Sequence, residues 1–340
     1  MVIDKEQFKD QNVLITGGTG SFGNAMTKYL LLNYKPKKII IYSRDELKQS
    51  EMCETSIIKT LNKKSDIMRF FLGDIRDKDR LKMAMNNVDY VIHAAALKQV
   101  TAAEYNPFEC IKTNIYGAQN VIDAAIEKRV KKVIALSTDK AASPVNLYGA
   151  SKLCSDKLFV SANNYSGQTT KLSVVRYGNV MASRGSVIPK FIEMQKNGVL
   201  EITDQRMTRF NITLNEAVNF VDNCFSNMWG GEIFIPKLPS YKIIDLAKAI
   251  NSNCSFRIIG IRPGEKLHED MITKSDSNNT IEFNKYYVIL PQKLNWNKSE
   301  YIQKSNDEYI NQVKDNFEYN SKSNPNFLGV EDLRKLINNI

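Results

Sequence analysis

The sequence NVLITGGTGSFG, residues 12–23, decides the fold. It begins with a short, mostly apolar run, which is typical of a strand buried on both faces of a parallel sheet. A glycine-rich loop follows and leads into a helical pattern that begins near Asn24. The glycines fit both G-x-G-x-x-G and T-G-x-x-G-x-x-G, in which glycine allows a tight turn, approach of a pyrophosphate and close packing of helix on strand. Because the helix N-terminus presents free N–H groups there, the stretch predicts a dinucleotide-binding site.

The remainder of the first half repeats this alternation of strand and helix. Further expected strands lie at residues 37–42, 68–74, 88–96, 131–137 and 171–180, and the segments between several of them have helical patterns. Strands that alternate with helices favour an α/β fold with a doubly wound, Rossmann-like parallel sheet and right-handed crossovers.

After about Val180 the alternation weakens, which suggests a division of the chain. We expect residues 1–180 to form the NADP-binding Rossmann domain and residues 181–340 to form mainly a smaller substrate-binding part. Some segments of that part, at about 211–250, are expected to return to the Rossmann core. From about Lys274 the chain is polar and rich in Asn, so we expect it to be loosely packed or to form an oligomer contact.

Composition limits the kinds of partner. The 340 residues are 43% hydrophobic and 25% charged, which is ordinary for a soluble globular protein. The net charge of +10 is spread along the chain without a basic stripe interleaved with aromatic residues, so we expect no nucleic-acid partner. A basic surface does suit anionic small ligands such as nucleotide sugars.

Metal, disulfide and membrane roles are also disfavoured. The five cysteines are far apart and only two histidines are present, so we expect neither a disulfide framework nor a metal site. The first ten residues are polar and charged, and no apolar run approaches the roughly 20 residues needed to cross a bilayer. We therefore expect a cytoplasmic protein without a membrane partner.

The end of the second expected strand bears on the choice of cofactor. NAD enzymes usually place Asp or Glu about 20 residues after the glycines, where it binds the ribose 2′-hydroxyl. Here Ser43 and Arg44 come first and suit a 2′-phosphate, which favours NADP, although Asp45 could still turn inward. Asp74 and Ile75 follow the third strand where an adenine ring would lie, with a helix N-cap as the alternative role of Asp74.

The stretch STDKAASPVNLYGASK, residues 137–152, predicts the chemistry. Tyr148 and Lys152 are four residues apart, so on a helix they share one face. The Lys152 cation is then expected to lower the phenol pKa of Tyr148, which lets Tyr148 take a proton from a sugar hydroxyl. Oxidation needs no more than this pair, whereas Asp139 and Lys140 add an acid and a base suited to eliminating water.

These motifs resemble a known family. The runs TGGTGSFG, AAALK and YGASK are similar to those of extended short-chain dehydrogenases/reductases. The runs SRDELKQ, STDKAA, RYGNV and IRPGEKLHE more closely resemble the inverting UDP-N-acetylglucosamine 4,6-dehydratases, whose product leads to pseudaminic acid on flagellin. The resemblance covers nearly the whole chain. It departs at a long segment, residues 53–66, and at Thr101 in place of an expected proline, and neither lies in the proposed chemistry.

The resemblance implies a mechanism. Hydride passes from sugar carbon 4 to NADP while Tyr148 takes the hydroxyl proton, with Thr138 polarising that oxygen and Lys152 supporting Tyr148. Lys140 would remove the carbon 5 proton, for which it must be neutral, and a partly buried site beside Lys152 is expected to favour that state. Asp139 would protonate the leaving hydroxyl at carbon 6. Hydride then returns to carbon 6, and protonation of carbon 5 from the opposite face inverts that centre.

The resemblance also implies binding residues and an oligomer. The cofactor-binding residues are expected to be Thr19, Gly20, Ser21, Phe22, Ser43, Arg44, Asp45, Glu46, Leu47, Lys48, Asp74, Ile75, Ala94, Lys98, Tyr148, Lys152, Val180 and Arg184. The residues for UDP-N-acetylglucosamine are expected to be Lys98, Asn179, Val187, Thr203, Arg262 and Glu265. Arg262 would pair with the diphosphate, with an exposed turn as the alternative. A hexamer is expected.

Two other functions fit parts of this pattern. A UDP-sugar 4-epimerase would share the scaffold, the cofactor and the Tyr148–Lys152 pair, but it would not need Asp139 and Lys140. A non-catalytic NADP-binding regulator would share the fold, although such proteins commonly lose the Tyr or Lys that this chain keeps.

Overall fold

The computed structural model describes residues 6–181, 186–305, 307 and 309–338, and for residues 61–65 it describes the helical backbone alone. The strands of this part are β1 (Asn12–Thr16), β2 (Lys38–Ser43), β3 (Met68–Leu72), β4 (Tyr90–His93), β5 (Lys132–Thr138), β6 (Lys171–Tyr177), β7 (Asn179–Val180), β8 (Val199–Ile202), β9 (Thr208–Ile212), β10 (Ile233–Pro236), β11 (Ser240–Lys242), β12 (Ser255–Ile258), β13 (Asp270–Ile272), β14 (Thr280–Phe283), β15 (Tyr286–Ile289), β16 (Ile310–Gln312) and β17 (Tyr319–Asn320).

The α-helices of the same part are α1 (Ser21–Asn33), α2 (Glu46–Glu54), α3 (Ser56–Ser65), α4 (Lys78–Ala84), α5 (Val100–Tyr105), α6 (Pro107–Ile111), α7 (Gly117–Glu127), α8 (Leu147–Ala162), α9 (Val187–Met194), α10 (Leu214–Asn227), α11 (Ile243–Ile250), α12 (Lys298–Lys304) and α13 (Val330–Asn338). A π-helical turn covers Lys112–Tyr116, and 3-10 turns cover Asp139–Ala141, Gln195–Asn197 and Lys274–Asn279. The long segment noted between the second and third expected strands folds as the end of α2 and as α3.

One large sheet organises the molecule. Within the described residues its strand order is β16-β14-β15-β10-β6-β5-β4-β1-β2-β3. From β3 to β10 every neighbouring pair is parallel, which confirms the predicted doubly wound parallel sheet. Strand β1 has β2 on one side and β4 on the other, so the strand order reverses there. Ligands of such sheets bind in the crevice beyond the carboxyl ends of the strands at this reversal.

The central strands are buried because their sequences are apolar on both faces. Val13, Leu14 and Ile15 of β1 have no exposed surface, and Ile39 and Ile41 of β2 are equally buried. Helix α10 and strand β10 belong to the same hydrophobic core although they lie far along the chain. Burial of this kind contributes about 25 cal/mol per Å² of apolar surface and fixes the strands that end at the site.

The C-terminal segment completes the sheet. Strands β15, β14 and β16 extend it beyond β10 in antiparallel order. Phe283 and Val288 have no exposed surface, and Tyr286 stacks on Phe283 with ring centroids 4.6 Å apart. The expectation of a loosely packed tail is therefore wrong for this segment. Its few apolar and aromatic side chains are concentrated on short strands that the polar composition concealed.

A second, smaller core stands beside the sheet. It is built from α9, β8, α11 and α13, with Phe191, Leu200, Leu246 and Leu333 buried among one another. Its residues Val187, Phe191, Met207 and Ile243 also line a cavity at the edge of the site described below. Among the helices of the described residues, none has the length and apolar character that crossing a membrane requires.

Candidate active site

Two cavities meet at Lys140 and Asn179, which line both of them. The larger has a volume of about 970 Å³ and follows the carboxyl ends of the parallel strands, from the glycine-rich loop to Tyr177 at the end of β6. The smaller has a volume of about 190 Å³ and lies against the second core. A long cavity that joins a smaller one suits a dinucleotide and a second ligand that meet at the junction.

The glycine-rich loop forms one end of the larger cavity. Gly17 has a φ of +63°, and a Cβ on it would lie 2.9 Å from the Cα of Ala95, so a side chain is excluded on both grounds. Gly20 precedes α1 and supplies no side-chain cap, so the first N–H groups of the helix stay available to a ligand. This arrangement can hold a pyrophosphate, as the glycine pattern predicts.

The end of β2 presents different groups to the cavity. Ser43 is buried and its Oγ accepts a hydrogen bond from Gln49 Nε2 at 3.0 Å. Asp45 caps α2, because its Oδ1 accepts from the Lys48 N–H at 3.0 Å. Its carboxylate also pairs with the Lys48 amine, and these hydrogen bonds lower the pKa of Asp45. Arg44 is half exposed, so it is the freer group to meet an incoming ribose phosphate.

Asp74 lines the cavity as expected but is not a helix cap. Its Oδ1 accepts from the Arg76 N–H at 2.9 Å, and its Oδ2 pairs with the Arg76 guanidinium at 2.7 Å. Asp77 caps α4 instead, by accepting from the Arg80 N–H. The alternative role considered for Asp74 is therefore taken by a residue three positions later.

Helix α8 carries the Tyr148–Lys152 pair. The helix begins after Asn146, whose Oδ1 accepts from the Gly149 N–H at 2.8 Å. A Cβ on Gly149 would collide with the backbone oxygen of Lys140, so glycine at this position lets the turn Asp139–Ala141 pack against the helix. That close approach brings Lys140 to the same cavity as Tyr148 and Lys152.

Lys140 is the centre of a buried charge cluster. Its Nζ lies 3.0 Å from Asp139 Oδ1, 3.1 Å from Glu269 Oε1 and 3.4 Å from Asn179 Oδ1. An ammonium has three N–H donors, and these three oxygens are enough to accept from all of them. Burial alone would lower the pKa of Lys140, but the two carboxylates outweigh it and the pKa is raised.

This corrects one expectation about the base. We expected a partly buried site beside Lys152 to favour neutral Lys140, whereas the carboxylates of Asp139 and Glu269 favour the ammonium. Asp139 itself is fully buried and does not line either cavity, and its Oδ2 has no hydrogen-bond partner within the described residues.

The support of Tyr148 by Lys152 stays a prediction, and two further groups act on the Tyr148 phenol. Burial raises the pKa of Tyr148 to about 12, and the groups that oppose this are the Lys140 cation and a hydrogen bond with Thr138. Burial lowers the pKa of Lys152, while Asp156 acts in the opposite direction. Lys140 and Thr138 are therefore groups that favour the phenolate.

The histidines have structural surroundings. His93 is 2% exposed, and its Nδ1 shares a hydrogen bond of 2.8 Å with Thr16 Oγ1. Burial and then the nearby Lys152 charge lower the pKa of His93 to about 3. His268 Nδ1 shares a hydrogen bond with Thr208 Oγ1 at 2.8 Å.

Most of the expected binding residues line the cavities. Those at the larger cavity are Thr19, Gly20, Ser21, Phe22, Ser43, Arg44, Asp45, Lys48, Asp74, Ile75, Ala94, Lys98, Thr138, Lys140, Tyr148, Lys152, Asn179 and Val180. Those at the smaller one are Lys140, Asn179, Val187, Thr203, Arg262 and Glu265.

A few expected residues lie elsewhere. Glu46 and Leu47 are on the first turn of α2 and line neither cavity, because their side chains project to solvent. Arg184 lies outside the described residues. Two residues at the junction were missed, Arg209 and Glu269, although Glu269 ends the quoted run IRPGEKLHE.

Comparison with known proteins places the chain in a family. A family model described as "Polysaccharide biosynthesis protein" matches residues 13–291. A protein of Campylobacter jejuni subsp. jejuni (strain 81-176), named UDP-N-acetylglucosamine 4,6-dehydratase (inverting), is 58% identical over 97% of this chain and 98% of its own length. A protein of Rickettsia canadensis named UDP-glucose 4-epimerase is 41% identical over 97% of this chain and 96% of its own.

A solved structure agrees with the sequence relatives. The structure of Pen from Bacillus thuringiensis has a TM-score of 0.86, is 39% identical, and covers 98% of both chains. Together with the cavity junction at Lys140, these similarities confirm the resemblance that the motifs indicated. The chain belongs to the polysaccharide biosynthesis protein family and, within it, to the inverting UDP-N-acetylglucosamine 4,6-dehydratases.

Proposed function

We propose that this protein converts UDP-N-acetylglucosamine to a UDP-2-acetamido-2,6-dideoxy-hexos-4-ulose with inversion at carbon 5, the first step toward pseudaminic acid. The observation that carries the proposal is Lys140, which lies with Tyr148 on the larger cavity where the two cavities meet and pairs at 3.0 Å with the buried carboxylate of Asp139. Oxidation at carbon 4 needs only Tyr148 and Lys152. An additional acid and base at the same place suit removal of water from the resulting ketone.

NADP is the cofactor that we propose for the larger cavity. The glycine-rich loop and the start of α1 would hold the pyrophosphate, and Arg44 with Ser43 would meet the 2′-phosphate. The carboxylate that would instead favour NAD, on Asp45, is engaged by Lys48 at the start of α2. When bound, the nicotinamide supplies the acceptor and donor of hydride.

For the first step, Tyr148 takes the proton of the carbon 4 hydroxyl and Thr138 polarises that oxygen. Because burial raises the pKa of Tyr148 to about 12, the phenolate needs the help of nearby positive charge. Lys140 provides some of it, and Lys152, buried one helical turn away, is the second cation proposed to support the phenolate.

For the second step, the Asp139–Lys140 ion pair must become a neutral amine and a carboxylic acid. Transfer of one proton along the 3.0 Å hydrogen bond from Lys140 Nζ to Asp139 Oδ1 gives both forms at once. Lys140 then takes the carbon 5 proton. Asp139, which is buried and lines neither cavity, must turn toward the junction to give its proton to the leaving hydroxyl, and water departs. The pair ends as the ammonium and carboxylate with which it began, so no proton is gained or lost.

The smaller cavity is the proposed site of the nucleotide sugar, and residues 181–340 supply most of it. Arg262 lies at its wall with its Nε 3.2 Å from Glu265, and it is half exposed and able to turn to a diphosphate. Asn146 Nδ2 donates to the Gly264 oxygen at 2.7 Å, which ties this loop to the start of α8. The cytoplasmic location and hexameric assembly implied by the family resemblance are part of the same proposal.

A UDP-sugar 4-epimerase is the second candidate, because a relative with 41% identity carries an epimerase name. Such an enzyme would remove and return hydride at carbon 4 and would leave Asp139 and Lys140 without a chemical task. The buried pair of these residues favours the dehydratase.

Turnover of UDP-N-acetylglucosamine in heavy water separates the two functions. We expect a product that has lost one water and carries deuterium at an inverted carbon 5. Mass spectrometry measures the loss of water, and NMR measures the deuterium and the configuration at carbon 5. A product of unchanged sugar composition with the opposite configuration at carbon 4 would show an epimerase instead.

A further inference from the structure

Glu269 is a buried carboxylate at the cavity junction to which no sequence motif gave a role. It is 1% exposed, lines the smaller cavity, and places Oε1 3.1 Å from Lys140 Nζ and 3.6 Å from Arg209 Nε. Its Oε2 has no hydrogen-bond partner within the described residues. A carboxylate is costly to bury unless cations pair with it, so Lys140 and Arg209 are what make this position tolerable.

The backbone around Glu269 is held from a distant part of the chain. The Glu269 N–H donates to Ser321 Oγ at 2.9 Å, and the Ser321 N–H donates to the Glu269 carbonyl at 2.9 Å. Ser321 Oγ also shares a hydrogen bond of 2.7 Å with Thr208 Oγ1, next to Arg209. The carboxylate is thus fixed where three segments of chain meet.

Arg209 is fixed in the same region. Its guanidinium donates to the backbone oxygens of Thr208 at 2.7 Å and Lys266 at 3.0 Å. Because backbone carbonyls hold the Arg209 guanidinium, it cannot move far. It therefore gives Glu269 a fixed cation and does not displace Lys140 from Glu269.

We propose that Glu269 is a positioning residue for the elimination step. It holds the Lys140 amine at the junction of the two cavities and stabilises the ammonium that forms when that amine takes the carbon 5 proton. This inference rests on the proposed function, in which Lys140 is the base. Glu269 acts through Lys140, much as a buried carboxylate orients and supports a histidine base in a hydrolase triad.

The charges around Lys140 predict the direction in which its pKa changes when Glu269 is replaced. Besides Glu269, the charged or titratable groups that face it are Asp139, Arg209, Tyr148 and Tyr241. Removing the Glu269 charge removes one of the two carboxylates that raise the pKa of Lys140, so that pKa falls. The amine then becomes neutral at lower pH, which moves the pH profile. The rate falls for a different reason, because the Lys140 amine loses the 3.1 Å contact that holds it at the junction, and we expect elimination to slow by about tenfold.

The test compares Glu269→Gln and Glu269→Asp with Glu282→Gln. Glu282 also forms an ion pair, 2.8 Å from Lys237, but it lies on β14 away from the cavities. Absorbance of the reduced nicotinamide after mixing with UDP-N-acetylglucosamine reports the oxidation step. Loss of water reports elimination, and its rate is followed as a function of pH.

We expect Glu269→Gln to reduce the cofactor at nearly the wild-type rate, to accumulate that reduced form, and to lose water about tenfold more slowly. Its pH profile for elimination should shift toward lower pH, and Glu269→Asp should restore most of both properties. Glu282→Gln should match the wild type.

Several outcomes contradict the inference. It is wrong if Glu269→Gln keeps the wild-type elimination rate and pH profile, or if oxidation and elimination fall together. Where Glu269→Gln does not fold, Glu269→Asp decides the matter, and an unshifted pH profile in that variant overturns the inference. A wild-type protein that reduces its cofactor but never releases water would overturn the proposed function itself, whatever the variants do.

Discussion

Arg44 is the side chain on which the proposed preference for NADP depends most. It follows β2 at the wall of the larger cavity, and it pairs with Asp74 Oδ2 at 3.4 Å. Charge-assisted hydrogen bonds to a phosphate contribute about 1.5–3 kcal/mol, and Arg44→Ala should therefore weaken NADP binding by at least about tenfold. NAD binding should change by less than about threefold. Titration of each dinucleotide measures this, with Arg69→Ala on β3 as the control. Equal losses for both dinucleotides would contradict the NADP proposal.

Residues could be assigned to the site from the sequence only where they belong to one local pattern. The spacing of Tyr148 and Lys152 and the neighbouring Asp139 and Lys140 are readable from one short stretch. The protonation state of Lys140 could not be predicted in this way, because it depends on Glu269, which is far along the chain from Lys140 and packs against it in the fold. Sequence spacing gives the groups on one turn or helix, whereas electrostatics depends on everything that packs against them.

Helix α8 carries Tyr148 and Lys152, and Asn146 at its start contacts the loop that contains Gly264. The Asn146 side chain caps the helix through the Gly149 N–H and also donates to the Gly264 oxygen. Asn146→Ala removes both contacts, so we expect the free energy of unfolding to fall by about 1–2 kcal/mol and the KM for the nucleotide sugar to rise. Asn146→Asp keeps the capping oxygen but lacks the amide donor, so most of the stability should return while the KM stays raised.

Urea unfolding and steady-state kinetics of the two variants check this prediction. If Asn146→Asp also restored the wild-type KM, the hydrogen bond to Gly264 would have no part in binding.

At the level of elements, the parallel strands were predictable and the C-terminal strands were not. Strands such as β1 and β2 are continuous apolar runs, because they are covered on both faces. Strands β14 and β15 are four residues long and flank the polar pair Asn284 and Lys285, so the Asn-rich composition obscured them. Only the tertiary structure shows that Phe283 and Tyr286 stack beneath that turn.

The whole molecule should lose stability in mild acid because of His93. Its pKa is about 3 in the folded protein, since it is buried beside Lys152, and about 6.5 in an unfolded chain. Between these pH values the unfolded state binds a proton at His93 and the folded state does not. The stabilisation present above pH 6.5 is therefore lost as the pH falls toward 3. From pH 7 to pH 5 we expect the free energy of unfolding to fall by about 2 kcal/mol.

Urea unfolding at several pH values measures this loss, and His93→Gln provides the comparison. The variant should be less stable at pH 7, since it changes a core residue, but its stability should depend less on pH in this interval. An unchanged slope would assign the acid sensitivity to other groups.

The contact between Ser321 and Glu269 has a consequence for the protein as it is being made. The larger cavity is lined by residues of roughly the first two thirds of the chain, which leave the ribosome first. The segment that pins the carboxylate beside the Lys140 amine is translated near the end. A product truncated by a premature stop before residue 321 would lack the hydrogen bonds that hold the Glu269 backbone, and we expect it to lose water elimination even where the larger cavity forms.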